Sequence, residues 1–485
     1  MNKKFFIILL FSCATQMRAT NHVSHSFLAT DNLFIPQIDR YQDFWHNKEV
    51  PLGNQKKLSV SVFGGASNDS KGLNKYFGPF DKDSFIVKNN TGGSVDVFGN
   101  QDILGNNFNL ETATATFHSV ITFKPQWSVV GAEFNLFFQR CTKYWASVSI
   151  PVHYIKTNMN IDEKIETPDG GALAGASTLT FTNSTTAVGS MKDALKQSAL
   201  LYGKIDGKKS KVRAAEVRVT VGKNWKRTTD FYVQPYVGAS LPTGNKAESQ
   251  YLFEPIVGNG GHFALFSGAH FGTKVRETDE SIIFLSGQWN TEYRFSNTQV
   301  RSIDPGGKPW GRYLAMYATT ADMTVTTATF GINLTTKKVS VSPHFTHNHE
   351  WQLHIIRNAF DINLGYRARI QSAETIALKE AWTNPAISDL EGTNSTSPSR
   401  GINSEQEVFT GAGGTTFSPI REHELNLDSA AVPGNTAHTF FASISKAWEK
   451  EERVFSCNAG TSYTFGSSNA TLHHWMLWSS LGINF

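Results

Sequence analysis

Residues 475–485 close the chain with WMLWSSLGINF, and counting back from the terminal Phe485 almost every second position is apolar. Ile483, Leu481, Leu477 and Trp475 share one parity, broken only by Ser479, while Asn484, Gly482 and Ser480 fall on the other. Side chains alternate across a strand, so this is a strand with one greasy and one polar face. A soluble sandwich could supply such a strand, and so could the wall of a membrane barrel. The rest of the chain decides between them.

The pattern recurs. In ATATFHSVITF (113–123), Ala113, Ala115, Phe117, Ile121 and Phe123 face one way, and Thr114, Thr116, His118 and Thr122 the other. Similar segments follow at 130–138, 144–154, 215–221, 231–241, 263–271, 283–295, 351–355, 362–370, 440–448 and 455–465. With the closing strand these make about twelve, each of roughly the ten residues that a tilted strand needs to cross a bilayer. A further stretch, KLSVSVFGGA (57–66), also reads as a strand, which leaves room for about fourteen if the N-terminal region contributes a pair.

The connections sort into two kinds. Charged turns such as KRTTD (226–230), RETDE (276–280), RNAF (357–360) and EKEE (449–452) alternate with long polar loops near 155–211, 242–261, 297–348 and 371–436. Short periplasmic turns alternating with long extracellular loops are the pattern of a transmembrane barrel. A soluble sandwich would instead bury Phe440, Phe455, Tyr463, Phe465 and Ile483 between two sheets.

The N-terminus, MNKKFFIILLFSCATQMRAT, sets two lysines before an apolar run from Phe5 to Phe11 and small residues after it. That is the layout of a secretory signal over residues 1–19, cut after Ala14 or Ala19. Acylation of Cys13 would need a small residue where Phe11 stands. No later apolar run approaches the roughly 18 residues of a membrane-spanning helix. The chain is therefore either exported and soluble, or it crosses a membrane as a closed barrel, the other architecture that pairs every backbone group away from water.

Composition agrees: 39 Gly, 35 Phe, 13 Tyr and 11 Trp stand against only 18% charged residues, a mixture suited to strands, turns and an apolar–wet boundary. Lys and Arg number 45 and Asp and Glu 41; losing Lys3 and Lys4 with a signal cut after Ala14 leaves 43 against 41. A near-neutral balance argues against a nucleic-acid partner. Of three cysteines, Cys141 and Cys457 lie beyond the signal, with no metal-binding spacing.

The signal, the amphipathic ten-mers, the aromatic strand ends and the terminal SLGINF resemble the Gram-negative outer-membrane β-barrel superfamily. The resemblance implies an all-β, antiparallel up-and-down barrel with long extracellular loops in the cell outer membrane, spanning 113–485. It also implies that Phe485 is an assembly signal read by the barrel-assembly machinery, with outer-membrane lipid and small solutes as the other partners. Residues 20–112 are expected to form a plug, a periplasmic segment or extra strands. The 297–348 loop is long enough to fold inward, and SMKDALKQSALLYGK (190–204) has helical spacing at Leu195, Leu201 and Tyr202.

Glu133, Glu216, Arg218, Glu292, Arg294, Arg367 and Arg369 fall on the polar parity of their strands. An arginine facing lipid near the midplane costs roughly 2–4 kcal/mol, so these residues are expected to line the lumen. There they could bias which solutes pass, or pair with one another and stiffen the barrel. Tyr232, Tyr236, Trp145 and Trp478 share the inward parity, as a stacking track or as filling for the barrel ends. HFTHNHEWQLH (344–354) sets His347 and His349 on one face, a two-ligand metal edge or a solvated histidine-rich one, with Glu350 excluded by parity. No phosphate loop and no nucleophile beside a base can be read from any one string, and no cofactor is implied. The function expected is a pore or substrate-selective channel for small solutes. The alternatives are a barrel-embedded hydrolase near His347 and His349, or an adhesive or structural surface protein acting through TNSTSPSRG (393–401).

Overall fold

The structure, a computed structural model, describes residues 23–29, 55–67, 71–88, 102–108, 110, 117–140, 143–166, 176–181, 184–186, 188–228, 230–317, 329–357, 360–389, 402, 416–451, 453–466 and 468–485. The signal region 1–19, Cys141 and the 393–401 loop lie outside them.

Twelve antiparallel strands close into a barrel. They are β1 (Gln55–Ser67), β2 (Gln126–Arg140), β3 (Tyr144–Asn158), β4 (Lys209–Ala214 and Val217–Lys223), β5 (Phe231–Leu241) and β6 (Ala264–Glu277), continuing with β7 (Ser281–Arg294), β8 (His344–Arg357), β9 (Phe360–Gln371), β10 (Asn435–Lys450), β11 (Arg453–Gly466) and β12 (His474–Asn484). Closure comes from β1, which pairs with β12 on one side and β2 on the other. Beyond β12, Phe485 exchanges both backbone hydrogen bonds with Lys56, at 2.9 and 3.1 Å. Among the described residues the ring is thus continuous, with Lys209–Ala214 paired on one side only, to β3, and a closed ring is what spares strands a row of unpaired N–H and C=O groups facing lipid.

The expected count of twelve holds, but its first member differs. Gln55–Ser67 is in the wall, whereas His118–Phe123 leaves it and joins a four-stranded sheet with Phe85–Lys88, Ile103–Leu104 and Ile161–Ile165. Its apolar face does not meet lipid: Ile121 and Phe123 are fully buried, in one apolar cluster with the inward-facing Phe63, Trp127, Val129 and Ile155 of the barrel. A period of two shows that a strand has one greasy face, but not whether that face meets hydrocarbon or a dry protein interior.

Outside that sheet the parity reading is followed closely. Leu481 is 67% exposed and Leu477 53%, while Ser480 and Trp478 between them are buried. The residues a sandwich would bury do the opposite: Phe440 is 55% exposed and Tyr463 38%, on the outer wall. Aromatic rings band the wall near both ends. Toward the long loops Phe263, Phe295, Tyr293 and Phe345 touch in series, as do Tyr366, Phe440 and Phe465. Toward the short turns Trp448 stacks on Phe455. These are the girdles of a bilayer-spanning barrel.

β4 carries a bulge. Lys209–Ala214 and Val217–Lys223 both pair with β3, but the register slips by one residue between Ala214↔Val152 and Arg218↔Ser149. The extra residue switches which parity points inward and brings Glu216 and Arg218 to the lumen together.

The long-loop end is filled by protein. Trp310, Tyr313 and Leu314 of the 297–348 loop are fully buried in the same cluster as Phe85 and Phe123, and the Trp310 indole N–H donates to the Phe77 carbonyl at 2.6 Å. Residues 23–29 are also bound into this end: Ser26 N–H donates to the Ser429 carbonyl and the Tyr76 hydroxyl to that of Phe27. The helix expected over 190–204 is a single turn, Met191–Ala194, capped by Ser190. Leu195 and Leu200 are drawn into the core and Leu201 is exposed, so burial is set by the surrounding loops rather than by a helical face.

Candidate functional site

At mid-height the inward side chains surround a cavity of about 180 Å³, and all seven charged residues singled out from the sequence line it. Each projects from a different height or strand: Glu133 from β2, Glu216 and Arg218 from β4, Glu292 and Arg294 from β7, Arg367 and Arg369 from β9. Glu350 of β8 joins them, making four carboxylates and four guanidinium groups.

The charges are partly matched within the wall. Glu292 accepts from Arg218 Nη2 at 3.0 Å and from Arg294 Nε at 2.8 Å. Glu133 Oε1 accepts from the Ser149 hydroxyl at 2.5 Å. Arg367 stands opposite Glu350 in register and donates to Asn348 Oδ1 at 2.5 Å. The Arg218 guanidinium lies 4.4 Å over the Phe266 ring. Such a constellation ties neighbouring wall strands together while leaving a strongly polar inner surface.

The four inward aromatics do not form a track. Trp145 and Tyr236 cluster with Phe266 on one wall, Tyr232 stacks on Phe284 at 5.7 Å, and Trp478 belongs to the loop-side core. Each of the first and last lies over a glycine of the neighbouring strand. A Cβ at Gly222 would sit 2.2 Å from Trp145, and one at Gly460 2.4 Å from Trp478. Covering a strand glycine with an aromatic ring restores the apolar contact that the missing side chain would have made.

The histidines separate. His347 and His349 are on the outer wall, where His347 Nδ1 bonds the Thr291 hydroxyl at 3.0 Å, and among the described residues no group of three metal-binding side chains assembles. His354 points inward. Its Nε2 meets Ser286 Oγ at 2.9 Å and its Nδ1 meets Asp361 Oδ2 at 3.1 Å. This chain could not be read from any one string, because Ser286, His354 and Asp361 come from three strands. Strand register would have found it: Phe284 pairs with His354, and Ile356 with Asp361, so all three side chains share the inward parity one step apart.

A closed cylinder with an apolar belt and aromatic girdles is what a bilayer demands of strands. The chain is a closed twelve-stranded β-barrel with the apolar outer wall of a membrane-spanning one. No family model and no curated protein matches this barrel in sequence. Among solved structures it resembles the COG4313 outer membrane channel from Pseudomonas putida F1, at 8% identity over 90% of this chain and 97% of that one, with a TM-score of 0.37. The Pseudomonas putida toluene transporter TodX aligns at 10% identity over 96% and 97%, with a TM-score of 0.31. A Pseudomonas aeruginosa FadL homologue aligns at 7% identity over 89% of each chain, with a TM-score of 0.24.

Proposed function

We propose that the barrel is a channel for small polar solutes, held closed at its loop-side mouth by the core around Trp310. The single observation that carries this is the charged cavity at mid-height. An interior meant only to be filled would be cheaper to build from apolar side chains, since a buried charge has to be paired and hydrogen-bonded to be tolerated at all. The cavity is small, about 180 Å³, so the solutes proposed are small. Its four carboxylates and four guanidinium groups sum to zero formal charge, which favours neither cations nor anions. In this reading Phe485, exposed at the end of an alternating strand, also serves as the recognition signal for the barrel-assembly machinery.

Planar-bilayer recording of the full-length protein tests the proposal. Small unitary steps are expected, with a reversal potential near zero in a salt gradient, and liposome swelling should show uptake of small neutral polar solutes. A folded, inserted barrel that passes no ion or solute, and stays silent when the loop-side core is loosened, would end this reading.

A further inference from the structure

Below the cavity, toward the short turns, lies a polar constellation that a channel does not require. We propose that Ser286, His354 and Asp361 form an acyl-transfer site, able to cleave small carboxylic esters that reach the lumen.

The geometry fixes the roles. Asp361 Oδ2, 3.1 Å from His354 Nδ1, is an acceptor only, so it holds the imidazole proton on Nδ1. That leaves Nε2 as the acceptor for the Ser286 hydroxyl at 2.9 Å. A nucleophile within hydrogen-bond reach of a base, which is in turn oriented by a carboxylate, is the arrangement that activates serine on unrelated folds. All three side chains are buried, at 0%, 0% and 3% exposure. Asn363, opposite His354 in register, and Gln352, opposite Ser286, carry buried amide atoms without a protein partner, Nδ2 and Oδ1 of the first and Oε1 of the second. Unmatched buried polar atoms occur elsewhere in the barrel as well, at Gln139, His153 and Ser443 among others, so these two mark polar room beside the three residues and no more.

In the proposal the ester enters from the charged cavity, the nearest open space, which does not itself touch the three residues. Gln288 and Glu350, which line it, are each one inward step along β7 and β8 from Ser286 and Gln352, about 7 Å at the usual strand rise. On the other side, Tyr232, whose hydroxyl also reaches the Ser286 side chain, and Phe284 pack their rings with Ile282 and Ile356 in a largely apolar layer that a short acyl chain would meet. In the reaction, Ser286 Oγ adds to the ester carbonyl carbon as its proton passes to His354 Nε2. The bond to the alkoxy oxygen then breaks, and His354 returns that proton to the departing alcohol. Water, activated by the same nitrogen, cleaves the acyl-serine, giving the acid and restoring the serine hydroxyl. Asp361 is a positioning residue.

The test uses the full-length, detergent-folded barrel, with folding checked by heat-modifiable gel migration. It is exposed to a small fluorophosphonate and, separately, to p-nitrophenyl acetate. Mass spectrometry should place one phosphonyl group on the Ser286 peptide of the unmodified protein, a result that needs no variant. Labelling should vanish in Ser286→Ala. It should slow by about 10³–10⁴-fold in Asp361→Asn with a displaced pH profile, and partly recover in Asp361→Glu. No label on Ser286 in the folded protein, or equal labelling after denaturation, would show that the three residues are a structural hydrogen-bond chain only. Conductance is read independently, so failure here leaves the channel reading untouched, and the converse also holds.

Discussion

Replacing Arg312 by alanine is expected to unseat the loop-side core and raise conductance. Arg312 is fully buried, and Asp304 accepts from its Nη1 at 2.9 Å and from its backbone N–H at 2.9 Å. The guanidinium also ties in the N-terminal segment, donating to the Ser24 carbonyl at 3.1 Å and the Ser24 hydroxyl at 3.2 Å. Removing one partner of such a pair leaves an uncompensated charge inside the protein, which costs about 3–5 kcal/mol. Burial already pushes the Asp304 carboxyl above its ordinary range, and Arg312 pulls it back. In the variant the folded-state value rises further above the unfolded one, so protonation favours the folded form. The defect should therefore be largest at neutral pH and shrink as pH falls through the carboxyl's range. Bilayer recordings should show larger or more frequent openings at neutral pH, together with protease sensitivity of residues 23–29. Unchanged conductance and protection would mean that this ion pair does not hold the mouth closed.

The second large effect is expected on the outer wall. Leu364 is 49% exposed on β9, between Leu353 of β8 and Ala442 of β10. Leu364→Arg puts a charge into hydrocarbon and should cost about 2–4 kcal/mol if the site is near the midplane. Urea titration into lipid vesicles should show the midpoint falling by the corresponding amount. Arg367, three residues along on the opposite parity, is accommodated because it faces the lumen beside Asn348 and Glu350 of the adjacent strand β8. A neutral outcome for Leu364→Arg would place this face in water.

These two sites show how unevenly the structure could be read beforehand. Leu364 and Arg367 were legible because a wall strand reports its environment through parity alone, and that rule carried the strand count, the inward charges and the closing strand. It misplaced 118–123, whose greasy face is equally well satisfied by Phe85, Trp127 and Trp310. Nothing in the sequence could reveal that Arg312, eight residues from Asp304, also ties in Ser24, since that contact joins residues 288 positions apart through irregular loops. The cavity was half legible: the seven charged residues could be assigned to the inward face, but their convergence on one cavity depends on register and on the one-residue bulge in β4. Ser286, His354 and Asp361 fall between these cases, invisible in any string yet fixed once β7, β8 and β9 are in register.

The central claim is a cylinder greased outside and polar within, and nitroxide accessibility tests it most directly. With Cys141 and Cys457 replaced by serine, single cysteines at Leu481 on the outer wall and Asn348 on the cavity wall are labelled in lipid vesicles. Leu481 should be relaxed by dissolved oxygen and shielded from a water-soluble nickel complex, and Asn348 should show the reverse. If both labels were hidden from oxygen and nickel alike, or both open to nickel, the barrel described here would be contradicted.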